Sequence, residues 1–69
     1  MKATFNVTFK GPLLNSNGTP KKEIQVVYTK IGFSFGNVIH NTYVFKNDAA
    51  AEEWIQKQHK LTREINSQI

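Results

Sequence analysis

Cysteine is absent from this chain, so no disulfide framework and no thiolate metal site can supplement its core, and the composition suits a reducing compartment. A cytoplasmic setting is the expectation. Long apolar runs are absent as well. From Met1 to Asn6 the residues alternate from the third onward, with no stretch suited to a signal peptide or a membrane span. Proline is missing from residue 21 onward, so a helix begun late in the chain can continue to about Ser67. Histidine is scarce: His40 and His59 lie in different predicted elements, with no His or Cys at metal spacing beside either. A single domain of 69 residues has little room for a closed cleft. No catalytic residue, cofactor, metal ligand or small-molecule substrate is expected, and the chain reads as non-enzymatic.

A chain of this size closes one core with roughly 3–5 kcal/mol to spare. It has the material for one sheet and one helix. Ala3, Phe5, Val7 and Phe9 alternate with Lys2, Thr4, Asn6, Thr8 and Lys10, the pattern of a half-buried strand with its apolar side inward. Gly11 and Pro12 end that pattern, and Asn15-Ser16-Asn17-Gly18-Thr19-Pro20 concentrates turn formers, so residues 11–21 read as one exposed loop in which Leu13 and Leu14 tuck against the core edge.

Glu23 to Ile31 forms the second strand, with Ile24, Val26 and Tyr28 on one face and Gln25, Val27, Thr29 and Ile31 on the other. Apolar residues on both parities suggest a central strand, or a bulge near Gly32 that switches sides. Gly36-Asn37 turns the chain into a third strand from Val38 to Lys46, where Ile39, Tyr43 and Phe45 share one parity and Val38, His40, Thr42 and Val44 the other. After the capping residues Asn47 and Asp48, the apolar residues Ala51, Trp54, Ile55, Leu61, Ile65 and Ile69 make one helical stripe, with Gln58 filling its gap. The fold class is therefore α+β: a three-stranded antiparallel sheet, with allowance for a short extra strand, and one C-terminal helix packed on one face.

Nine Lys/Arg against five Asp/Glu give a net charge of +4, which makes polyanions candidate partners. The polar parity of the first strand, Lys2, Thr4, Asn6, Thr8 and Lys10, extended by Lys21, Lys22, Gln25 and Thr29, has the chemistry for nucleic acid. Lysines neutralise phosphates, and Asn, Gln and Thr meet base edges or phosphate oxygens. That ladder lacks arginine and a regular stacking platform. A second candidate surface is the glycine-flanked Phe33-Ser34-Phe35 segment with Val38, which at a hairpin tip would suit a protein partner or self-association, as would a sheet edge. Gly32 and Gly36 lack the GxGxxG or GxxxxGK spacing that cradles phosphates.

The segment Tyr43-Val44-Phe45-Lys46-Asn47-Asp48-Ala49-Ala50-Ala51-Glu52-Glu53-Trp54-Ile55 resembles the end of the arm-type, AP2-like DNA-binding domain at the N-terminus of tyrosine integrases. In that family a last strand closes with Phe, a short capped turn follows, and a helix packs across a three-stranded sheet. The likeness covers residues 43 to about 57. It implies DNA reading by the sheet, carried here by Thr4, Asn6, Thr8, Gln25 and Thr29, in a binding module without a catalytic part. The family's strands are richer in Arg and Lys; Lys30 is the only base inside the second strand of this chain.

Overall fold

The structure, a computed structural model, describes residues 2–33 and 37–68. Strands β1 (Thr4–Leu14), β2 (Pro20–Ile31) and β3 (Val38–Phe45) form one antiparallel sheet in the order β1-β2-β3, and helix α1 (Asp48–Ser67) follows. This is the α+β architecture that strand parity and the helical stripe predict, built from three strands.

The first two strands run further than the turn-forming residues suggest. Only residues 15–19 form the loop between them. Gly18 N–H donates to Asn15 O at 2.9 Å and Asn15 N–H to Thr19 O at 2.8 Å, while Gly18 adopts φ +87°: a hydrogen-bonded turn ending on a positive-φ glycine, which closes a tight hairpin. Asn15 Nδ2 and Asn17 Oδ1 both bond Thr19. With the reversal confined to five residues, Gly11 and Pro12 pair with Gln25 and Ile24. Pro12 is tolerated because β1 is an edge strand. Leu13 is half-buried, but Leu14 is exposed opposite Pro20, so the second leucine does not tuck against the core.

The register of β2 with β3 is unbroken from Ile24↔Phe45 to Ile31↔Val38. The two irregularities lie between Val7 and Phe9, where Thr8 is the extra residue in β1, and between Pro12 and Leu14, where the extra residues are in β2 between Ile24 and Pro20; neither is near Gly32. The first has a large consequence, because one extra residue reverses the parity of everything after it. Phe5 and Val7 stand opposite Lys30 and Tyr28, whereas Lys10 stands opposite Val26 and Phe9 opposite Val27. Strict alternation therefore fails at Thr8: Phe9 leaves the core side and Lys10 joins it. Gly32 does have a special role. At φ +82° it carries the chain past the start of β1, where a Cβ would stand 3.0 Å from Ala3 Cα. Phe35, Ile69 and Gly36, the first residue of the expected Gly36-Asn37 turn, lie outside the described residues.

Helix α1 starts on Asn47, whose extended backbone (φ −160°) and side-chain oxygen, accepting from Ala50 N–H at 2.8 Å, make it the N-cap. Asp48 is the first helical residue and not the cap. Phe5, Val26, Tyr28, Ala51 and Ile55 form the core, flanked by Val7, Ile24, Phe33, Phe45 and Trp54. The Trp54 ring lies 5.0–5.6 Å from the rings of Phe5, Tyr28, Tyr43 and Phe45, the range of favourable aromatic pairs. Past Ile55 the inward stripe turns polar. Gln58 is buried and Thr62 and Asn66 are half-buried, while Leu61 is exposed, against the expectation that Leu61 packs on the sheet. Asn66 instead bonds the main chain of Ala3 through both ends of its amide.

Candidate binding surface

The helix covers one face of the sheet and leaves the other bare. Register places four rows across that bare face: Thr4, Ile31, Val38; Asn6, Thr29, His40; Phe9, Val27, Thr42; and Gly11, Gln25, Val44. None of these side chains is Lys, Arg, Asp or Glu. Phe9, Val38 and Val44 are 50%, 65% and 54% exposed. Phe9 lies over Gly11, where a Cβ would stand 2.9 Å from the ring's Cζ, so a glycine beneath the ring lets it lie along the strand. Thr29 Oγ1 and His40 Nδ1 are 3.1 Å apart across β2 and β3. The face is thus an uncharged mixture of apolar and hydrogen-bonding groups.

Of the residues assigned to nucleic acid from sequence, Thr4, Asn6, Gln25 and Thr29 come together here. Thr8 sits in the bulge and spends its hydroxyl on Val27 O at 3.1 Å. Lys10 does not belong to the ladder. It lies on the helix side, 2.7 Å from Asp48 and also bound to Glu52; these bonds, Asp48 first, push its ammonium pKa up. Lys30 is on that side too, with Nζ 4.9 Å from the Phe33 ring centre, 5.7 Å from Tyr28 and 5.8 Å from Trp54. Burial holds its pKa down. Lys21 and Lys22 are exposed in the arm of the β1–β2 hairpin beyond the end of β3, and Lys2 is exposed before β1. These three take part in no ion pair among the described residues.

Of the alternative contact residues, Val38 is exposed on the bare face, whereas Phe33 is half-buried against the core. Sequence reasoning missed Phe9, Val27 and Val44 as surface groups. The apolar residues on both parities of β2 were a usable signal for Val27; nothing local marks the bulge that turns Phe9 outward.

The two sheet edges differ. Along β1, the bulge at Thr8, Gly11 and Pro12 interrupt the row of free main-chain groups, and just before the strand the Asn66 amide occupies Ala3. Strand β3 has no bulge, glycine, proline or charged residue. Its Thr42 N–H is taken by the side chain of its neighbour, Asn41 Oδ1, at 2.8 Å.

Among the described residues no pocket forms, and no three His, Asp or Glu side chains gather where a metal could be held. No helix is long and apolar enough to cross a membrane. No protein-family model, no curated protein and no solved structure matches this chain.

Proposed function

We propose that this chain is a non-enzymatic protein-binding module whose contact surface is the bare sheet face. The observation that carries the reading is the composition of that face. In a chain of net charge +4, the four rows across the sheet hold no Lys, Arg, Asp or Glu, and they expose Phe9, Val38 and Val44. Exposed aromatic and aliphatic groups on the outer strands, with polar groups between them, suit a protein partner whose own surface is apolar and uncharged. A polyanion would meet few cations there, since Lys10 and Lys30 are on the other side.

The nucleic-acid reading keeps one specific support: Lys21 and Lys22 are exposed together in the hairpin arm, with Thr4, Asn6, Gln25 and Thr29 on the adjoining face.

Photo-crosslinking separates the two readings. A benzoylphenylalanine at position 9, with one at Gln56 on the helix as control, identifies a protein that contacts the face. That protein, purified, should bind with an affinity little changed by salt and weakened at least tenfold by Phe9→Ser with Val44→Thr. Binding of duplex DNA, single-stranded DNA or RNA that falls steeply with salt, and whose slope flattens in Lys21→Ala/Lys22→Ala, would overturn the protein reading in favour of nucleic acid.

A further inference from the structure

The free edge of β3 is built to pair with itself. We infer that two copies of this chain associate through antiparallel β3–β3 pairing about a two-fold axis at Asn41, which joins their sheets into one of six strands. The proposal rests on the edge of β3, whose Val38, His40, Thr42 and Val44 side chains also belong to the bare face, and its readout, self-association, is separate from binding of the partner assigned to that face.

Three observations carry it. The first is the contrast between the edges: proteins blunt exposed strands with bulges, proline, charge or a covering segment. Here β1 has the bulge at Thr8 and Pro12, with the Asn66 clasp on Ala3 just before it, while the eight residues of β3 have no bulge, proline or charge, and their one side-chain clasp is Asn41 on Thr42 N–H. The second is direction. Thr42 N–H donates to the side chain of its neighbour Asn41, which marks it as directed to the free edge. By the alternation of a strand, Val38, His40 and Val44 present their N–H and C=O groups there too.

The third is the order of side chains. From Val38 to Val44 the strand is palindromic in chemical class about Asn41. In a symmetric antiparallel pair centred on Asn41, Val38 faces the second copy's Val44, Ile39 faces its Tyr43 and His40 faces its Thr42. Apolar thus meets apolar and polar meets polar on both faces, with no like charges opposed. The edge-directed residues all fall in directly opposed pairs that exchange two hydrogen bonds each, about eight in all. An isologous contact requires this self-complementarity, and a strand evolved for an unrelated peptide has no need of it. Pairing of one short edge buries an area at the low end of specific interfaces, so association in the micromolar range is expected.

Sedimentation velocity of the full chain, from about 5 μM to about 500 μM around that range, tests the inference. The wild type should pass from monomer to dimer as concentration rises. Thr42→Pro removes an N–H that β2 does not use, so its far-UV circular dichroism should be unchanged while it stays monomeric throughout. Asn41→Ala frees the same N–H and should move the transition to several-fold lower concentration. If Thr42→Pro loses its structure, Val38→Lys with Val44→Lys decides, because both positions are exposed and the variant sets lysines against each other across the seam. A wild type that is monomeric at every concentration, or a dimer that persists unchanged in the folded edge variants, overturns the proposal.

Discussion

The amide of Asn66 grips the main chain of Ala3 at both ends: Oδ1 accepts from Ala3 N–H at 2.7 Å and Nδ2 donates to Ala3 O at 3.0 Å. Two points 63 positions apart in sequence are thereby fixed to one another, and the helix end is held over the start of β1. Asn66→Leu should cost about 1–3 kcal/mol, since both groups of a buried residue lose their partner. In a domain of this length each kcal/mol lowers the melting temperature by about 4–8 °C. Urea denaturation measures the change; a loss below about 0.5 kcal/mol would mean that water replaces the clasp at no cost.

Helix capping at the strand-to-helix junction belongs to Asn47 and not to Asp48. Asn47→Ala should destabilise the fold by about 1 kcal/mol, and Asn47→Asp should restore most of it. A double-mutant cycle with Lys10→Met should show coupling for Asp48→Ala, which touches Lys10, and none for Asn47→Ala. Coupling in the reverse order would show that the cap had been assigned to the wrong side chain.

Gln58 is buried and its Oε1 meets no donor among the described residues. Gln58→Met keeps the length and removes the polar atoms, so the variant should be more stable by about 1 kcal/mol. The midpoint of chemical denaturation reads the sign directly, and a lower midpoint would refute this account of the site.

On the alkaline side three groups act with different signs. Lys10 has a raised pKa, from its bonds to Asp48 and then Glu52; its stabilisation is present below the ordinary lysine value of 10.5 and is lost as pH rises through the raised one. The Tyr28 phenol is raised by burial and next by the Tyr43 hydroxyl beside it, so the unfolded chain releases that proton first and stability falls above about the ordinary value of 10.0. Lys30 is lowered by burial, and the fold gains as pH climbs from its lowered value toward 10.5. Stability should therefore rise slightly toward pH 10 and fall beyond it. Lys30→Met should abolish the rise and Lys10→Met should soften the fall, as read from urea midpoints at stepped pH.

Much of this fold is legible in the sequence. The parity of Ile24, Val26 and Tyr28 against Ile39, Tyr43 and Phe45 places one face of β2 and β3 under the helix, and the step from Phe45 to the alanines marks where that helix starts. What sequence hides is mostly single-residue and long-range. An added Thr8 leaves no local trace, because threonine fits either side of a strand, yet it decides that Phe9 faces outward and that Lys10 meets two acids about forty positions away. Gly11 and Pro12 look like breakers until β1 is known to be an edge, where a missing N–H costs little. Leu61 fits an apolar stripe only if the helix stays centred on the sheet; its far end instead turns Asn66 toward Ala3. The bare face is legible in half: Thr4, Asn6, Gln25 and Thr29 are there as parity predicts, while Phe9 and Val44 give it an apolar character that a polar ladder does not suggest.

Trp54 is the chain's one tryptophan, and its ring lies 5.0 Å from Tyr28 and 5.2 Å from Tyr43, the only two tyrosines. All near-ultraviolet chromophores of any strength are thus gathered where the helix meets the sheet. Light absorbed by either tyrosine passes to the indole while the helix is seated and is emitted by the tyrosines once it lifts. The colour of the chain's intrinsic emission consequently reports one event, the docking of α1, without any label.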